Sequence, residues 1–300
     1  VPLESVQSLM QRARSGGYAV GYFESWNLES LQGVLDAAEE TRSPVFIGFN
    51  GDFLSGPDRL CRERLELYAA AGVAAAVSAS VPCGLVFNEC ARDDWVEAAI
   101  GLGFNLVVPS DPSASLDDCV RRVRTLTEVA HARGVSVEAE VGELPCGVAC
   151  GGAGGSLTDP DQAAAFVAAT GVDLLAVSAG NVHIQVQGEQ PLDLDHLAAI
   201  RERVSVPFTL HGGTGIAADS LRESLALGVA KVNYGTYLKQ RYLRAVREAV
   251  SSDEINPHAL LGMGGAADVM VAVRLAVRDA VLERIGTLGC CGKAGHPVPE

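Results

Sequence analysis

Along the chain, short apolar runs rich in β-branched residues alternate with longer stretches whose apolar positions recur at helical spacing. That alternation predicts βαβ units and a parallel sheet. The strand-like runs are 18–24 (YAVGYFE), 44–50 (PVFIGFN), 81–89 (VPCGLVFNE), 105–110 (NLVVPS), 136–142 (SVEAEVG), 174–180 (LLAVSAG), 207–212 (PFTLHG) and 230–236 (AKVNYGT). Amphipathic segments lie between them at 27–42, 58–71, 93–102, 115–133, 159–170, 193–204 and 217–227. Several open on an Asn, Ser or Asp suited to an N-cap. Eight strands with intervening helices predict a closed (β/α)8 barrel rather than an open sheet.

After the eighth strand, 237–250 and 265–285 read as two further helices, and the tail 286–300, with its Gly and Pro, is expected to lie over the surface. No break in composition marks a second domain. Residues 1–300 therefore read as one barrel domain, with C-terminal helices and a Gly/Pro-rich tail from about 237. The Gly-rich stretch 147–155 (GVACGGAGG) is expected to be a mobile loop after the fifth strand. Segment 265–285 carries Val269, Met270, Val273, Leu275, Val277, Val281 and Leu282 on more than one face, which suits a partner subunit or burial against its own barrel.

Composition narrows the function. The 300 residues hold 23 Lys plus Arg against 37 Asp plus Glu, a formal net charge of -14. Such a chain repels phosphate polymers, so no nucleic-acid partner is expected. Every apolar stretch is interrupted by Gly, charged or polar residues, so no membrane span is expected either. The sequence opens Val1-Pro2-Leu3-Glu4, without the pattern of a secretory leader, and a cytoplasmic location is the expectation. Its 8 cysteines form no disulfide framework; Cys146 and Cys150 resemble half of a zinc clamp but lack a second pair, and Cys290-Cys291 read as free thiols.

In this barrel class catalytic groups sit at the carboxyl ends of strands. Those positions hold Glu24, Asn50, Asn88, Glu89, Ser110, Asp111, Glu140, Glu143, Asn181, His183, His211, Asn233 and Thr236. His183 and His211 end consecutive strands and can converge on one ion, and Glu89 would complete a His, His, carboxylate set with an open position. The plainer alternative is that each His satisfies a loop carbonyl. Gly212, Gly213, Thr214 and Gly215 form a turn before a helix, where backbone N–H groups can receive an anion. Asn233, Gly235 and Thr236 on the neighbouring strand end face the same place, as in barrel phosphate sites after strands seven and eight.

The segments 27–44, 131–142, 157–183 and 209–238, with the tail GTLGCCGKAG, resemble the class II, metal-dependent fructose-bisphosphate and tagatose-bisphosphate aldolases over nearly the whole chain. The resemblance implies a divalent metal, most simply zinc, held by His183 and His211, with Glu140 near it or supporting its ligands. It also implies phosphate at Gly212 to Gly215, Asn233 and Thr236, and a homo-dimer or homo-tetramer.

Strand three departs from that family. Where members carry His-Leu-Asp-His, this sequence reads Val86-Phe87-Asn88-Glu89. The proton-handling Asp is an amide here, which takes no proton at neutral pH, and the third His ligand is a carboxylate. Carboxylate for imidazole makes the set harder and brings in manganese or magnesium as alternatives to zinc. Glu24 and Ser110 stand where the family has Asn and Asp, and Ile184 and Gln187 where it has Gly and a phosphate-binding Lys.

The expected activity is a carbon–carbon lyase of aldolase type on a ketose or ketose phosphate, working through a metal-stabilised enediolate and poor on fructose bisphosphate. Glu24 or Glu143 would replace the missing Asp as acid/base, with Asp111 a weaker candidate. The alternatives are a sugar-phosphate epimerase or isomerase sharing the enediolate, and a barrel that binds sugar phosphates without turnover.

Overall fold

A computed structural model describes residues 3–141, 156–182, 188–251 and 254–295. Eight parallel strands close into a barrel in sequence order: β1 (Val20–Ser25), β2 (Val45–Asn50), β3 (Cys83–Cys90), β4 (Leu106–Pro109), β5 (Ser136–Glu140), β6 (Leu174–Ala176), β7 (Phe208–Leu210) and β8 (Val229–Tyr234). The predicted barrel is therefore the observed one, with strands trimmed at their ends. β3 begins at Cys83 rather than 81 because Pro82 has no N–H for the ladder, although its carbonyl still accepts from Val45.

Helices cover the strands: α1 (Val6–Gly16), α2 (Leu28–Glu40), α3 (Gly51–Ser55), α4 (Leu65–Ser78), α5 (Asp93–Gly101), α6 (Leu116–His131), α7 (Pro160–Thr170), α8 (Leu194–Arg203), α9 (Ala218–Ala226), α10 (Thr236–Ala249), α11 (Pro257–Leu260) and α12 (Val269–Ile285). Their starts follow local chemistry. Asn27 caps α2 in a reciprocal box with Ser30, and Ser115, Asp159 and Asp193 accept from the third backbone N–H of α6, α7 and α8.

Three expectations change. The sequence reading placed no helix before β1, yet α1 buries Val6, Leu9, Met10 and Ala13 at helical spacing. It lies by the amino-terminal ends of the strands, where Glu4 N–H donates to the Cys83 carbonyl. The helix expected at 58–71 begins at Leu65, since 58–64 is largely charged and offers no apolar face to bury. The tail does more than cross the surface: Leu288 and Cys290 are fully buried, and Ala19, Gly292 and Ala294 hydrogen-bond across to Leu288, Thr41 and Arg42.

Helix α12 packs between α2 and α10. Val269, Val273, Val277 and Val281 are buried there, while Leu275 stays exposed. The chain's own fold thus covers most of the apolar surface that the sequence offered to a partner. At Gly33 of α2 the two helices come close, since a Cβ there would meet the Arg274 carbonyl oxygen at 2.6 Å. The Gly-rich stretch 147–155 and the Cys146/Cys150 pair lie outside the described residues.

Candidate active site

Strand geometry turns alternate residues to the barrel axis. On β1, β2, β3, β7 and β8 this set includes Tyr22, Glu24, Phe46, Asn50, Asn88, Thr209, His211, Lys231 and Asn233, and on β5 Glu138 and Glu140. The deeper members form a buried polar plug. Lys231 Nζ lies 2.9 Å from Glu138 Oε2, both side chains without exposure. Thr209 donates to Glu138 at 2.9 Å, and Lys231 donates to Asn233 Oδ1 at 2.7 Å. The Lys231 ammonium also sits 5.2 Å from the Tyr22 ring centre and 5.8 Å from that of Phe46. Burial alone would raise the Glu138 pKa, but Lys231 and His211 overcome it and bring it down to about 2.

Above the plug stands His211, 2% exposed. Its Nε2 is 3.0 Å from Glu138 Oε1, while Nδ1 faces Glu89 Oε1 at 3.2 Å and Glu140 Oε2 at 3.8 Å. Burial works against a charged ring, yet the bonds to Glu138 and Glu89 push the His211 pKa up to about 10. Glu138 at Nε2 fixes the tautomer and presents Nδ1 toward two further carboxylates. That is the carboxylate–histidine pairing that orients metal ligands, and a dication can take the place of the Nδ1 proton. One imidazole nitrogen and two carboxylates therefore fit a divalent ion in donor chemistry. Among the described residues no three His, Cys, Asp or Glu side chains are grouped as a metal site by themselves. His183, the remaining proposed ligand, lies outside the described residues, as do Glu143, Ile184 and Gln187.

Strand alternation would send Asn88 inward and Glu89 outward, yet both line one cavity. The pairing of β3 with β4 slips between Phe87 and Cys90, and Glu89 adopts φ 47°, a left-handed backbone uncommon for a residue with a side chain. This bulge turns Glu89 to His211, and Asn50 Nδ2 holds its other oxygen at 2.8 Å. The strain, about 1 kcal/mol or more, is spent where the chemistry is expected.

The cavity has a volume of about 250 Å³. Its walls include Glu24, Asn88, Glu89, His211, Gly212, Thr214, Asn233, Gly235 and Thr236. Gly213 and Gly215 are buried behind it, in a 3-10 turn at Gly213–Gly215. A Cβ on Gly213 would meet Val232 at 2.7 Å and Tyr234 at 2.8 Å, so the turn packs on β8 only as glycine. Helix α10 begins at Thr236 with no side-chain cap and no acid in its first turn, leaving N–H groups free for an anion. Asn233 Nδ2 is 3.5 Å from Asn88 Oδ1, which ties the altered strand-three residue to this side of the cavity.

Four residues of the site escaped the sequence reading. Tyr22, Glu138 and Lys231 each sit two positions before an expected residue on the same strand face, and a Glu and a Lys inside apolar strands were the available signal. Lys239 lies one helical turn beyond Thr236; it pairs with Glu24, and its ammonium is 4.1 Å from the Phe53 ring centre. Ser110 and Asp111, by contrast, are absent from the cavity wall.

The chain matches the family profile described as class-II fructose-bisphosphate aldolase over residues 4–293. It is 32% identical to a fructose-bisphosphate aldolase of Geobacillus stearothermophilus, across 98% of this chain and 99% of that one. It is 31% identical to a 6-phospho-5-dehydro-2-deoxy-D-gluconate aldolase of Halalkalibacterium halodurans, across 92% and 96%. Among solved structures, the YdjI aldolase from Escherichia coli superposes with a TM-score of 0.80 at 32% identity, covering 97% of this chain and 99% of that one. Barrel, strand order and full-length similarity agree: the chain belongs to the class II fructose-bisphosphate aldolase family.

Proposed function

We propose that this protein is a metal-dependent, aldolase-like carbon–carbon lyase acting on a ketose phosphate, and that fructose bisphosphate is a poor substrate for it. The observation that carries this is the convergence, in one cavity, of the His211/Glu89 pair, the Gly212 to Gly215 turn with the start of α10, and the Glu24 carboxylate. Both aldolase relatives cited above carry a phosphorylated compound in their names, which supports a phosphate at that turn.

His211, Glu89 and His183 would hold the divalent ion, zinc or else manganese or magnesium, with Glu140 beside them. When bound, the ion supplies Lewis-acid stabilisation of the negative charge that develops on the substrate's ketone and adjacent hydroxyl oxygens. Glu138 holds the His211 ring in register through Nε2. Backbone N–H groups of the 212–215 turn and of α10, with Asn233 and Thr236, orient the phosphate.

Bond cleavage needs a base for the proton of the hydroxyl beyond the breaking bond. Asn88 cannot serve, because its amide takes no proton. Glu24 is 7% exposed in the same cavity and takes that proton as the carbonyl of the aldehyde product forms. Glu143 is the other carboxylate for this role. Lys239 balances the Glu24 charge between turnovers.

The experiment is a product analysis on metal-supplemented protein with a panel of ketose 1-phosphates, read by mass and by aldehyde trapping. A lyase releases aldehyde and a three-carbon phosphate. A sugar of unchanged mass would mean an epimerase or isomerase, the reading that the loss of the strand-three Asp favours next. Binding without any turnover would mean a sugar-phosphate-binding barrel.

A further inference from the structure

Among the described residues, the phenol oxygen of Tyr22 is buried and has no hydrogen-bond partner. Tyr22 is 1% exposed, and it stands in the cavity wall with Glu24, Asn50 and Asn88. Buried tyrosine hydroxyls ordinarily find a partner, because leaving one unmade costs the group its hydration with nothing in exchange. Burial and the nearby charges of Glu24, Glu89 and Glu138 keep this phenol protonated. It is therefore a neutral donor and acceptor set in the cavity wall.

Two residues along the same strand face, Glu24 pairs with Lys239. That pair is neutral in sum, yet it offers a carboxylate to accept and an ammonium to donate. The remaining charged groups at or near the wall are the His211 ring and the Glu89 and Glu140 carboxylates that face it, so the one cation among them is already surrounded by carboxylates. A second phosphate at this pair would meet the Glu24 carboxylate and find in Lys239 a cation that already has a partner, whereas uncharged hydroxyls can donate to the one and accept from the other.

We propose that Tyr22, Glu24 and Lys239 form a subsite for an uncharged, polyhydroxylated chain, so that the substrate carries one phosphate and ends in free hydroxyls. This rests on reading the 212–215 turn as the seat of the single phosphate. The competing occupant is a second phosphate reaching Arg244 and Arg247, which line the outer groove of α10 next to the cavity.

The test is calorimetric binding to the zinc-supplemented protein of three probes that cannot be cleaved: mannitol 1-phosphate, mannitol 1,6-bisphosphate and glycerol 3-phosphate. The expected result is that mannitol 1-phosphate binds about tenfold tighter than either of the others. Tyr22→Phe removes about fivefold to tenfold of that affinity and leaves glycerol 3-phosphate unchanged. Its melting temperature equals or exceeds the parent's, because the lost oxygen had no partner. Glu24→Gln gives the same selective loss if the Phe variant does not fold.

Tighter binding of the bisphosphate, equal binding of all three probes, or no selective loss in either variant overturns the subsite. The lyase reading fails separately. If mannitol 1-phosphate is preferred but ketose 1-phosphates are not cleaved, the subsite stands without the lyase; if they are cleaved and the preference is missing, the lyase stands without the subsite.

Discussion

Glu138 Oε1 lies 3.0 Å from His211 Nε2, and Glu138 Oε2 lies 2.9 Å from Lys231 Nζ. One carboxylate thus joins the ring at the cavity floor to an ammonium in the barrel interior. Neither Glu138 nor Lys231 touches solvent: Lys231 depends on Glu138 for its charge, and Glu138 on Lys231 together with His211. Removing one partner of such a pair strands the other, at a cost of roughly 3–5 kcal/mol. Lys231→Met should accordingly lower stability in chemical denaturation by no more than that order, because His211 still pairs with Glu138, whereas Glu138→Leu, which strands both Lys231 and His211, should cost more than Lys231→Met.

The same contacts set a pH dependence for the metal-free protein. Glu138 is held at about 2, below its ordinary 4.5, so its contribution is present above 4.5 and is lost as pH falls toward 2. His211 is held at about 10, above its ordinary 6.5, so its contribution is present below 6.5 and is lost as pH rises toward 10. Urea unfolding should show the stability gap between wild type and Glu138→Gln shrinking from pH 5 to pH 2. The gap between wild type and His211→Phe should shrink from pH 7 to pH 10. A gap that is constant across either window would count against the corresponding contact.

Metal analysis by plasma mass spectrometry should find about one divalent ion per chain, lost in His211→Ala. Glu89→Ala should weaken binding by about tenfold to a hundredfold, and Glu138→Gln should weaken it as well, although Glu138 is not itself a ligand, by releasing the ring orientation. Full occupancy in the His183→Ala, His211→Ala double variant would place the ion elsewhere.

Gly213→Ala should abolish phosphate competition, because its Cβ would press on Val232 and Tyr234 at 2.7 and 2.8 Å and move the turn. The measurement is inhibition, or thermal stabilisation, by inorganic phosphate. Wild type should respond weakly, since Gln187, which stands where the family resemblance implies a phosphate-binding Lys, carries no charge to assist the contact, and Gln187→Lys should strengthen the response.

Fructose-bisphosphate cleavage should be low in wild type and remain low in Asn88→Asp. General acid/base help of roughly 10²–10⁴ is missing at position 88. Restoring the carboxylate leaves Glu24, Glu89 and Tyr22 in place around it, and adds a negative charge beside Glu89. A coupled triose-phosphate assay with added zinc, manganese or magnesium decides this. Robust wild-type cleavage would refute the reading of strand three, and a large gain in the variant would make Asn88 a single lesion.

The sequence by itself determined the barrel and the side of it that carries the chemistry. Eight apolar runs separated by amphipathic segments admit few other closed architectures, and a strand's carboxyl end is legible wherever an apolar run stops at a polar residue such as His211 or Asn233. The alternation also carried information that went unread: Glu138 and Lys231 break the apolar pattern at inward positions. Tertiary structure alone decided the rest. The two-residue period assigns Glu89 to the outside of the barrel, and only the slip in pairing with β4 brings it to His211. Pairing is likewise invisible to a linear pattern, because Glu24 and Lys239 are 215 residues apart and meet only when β8 closes against β1. The pKa values of Glu138 and His211 follow for the same reason, since burial and opposing charge are properties of the assembled interior, where water is excluded and partners from distant strands stand within 3 Å.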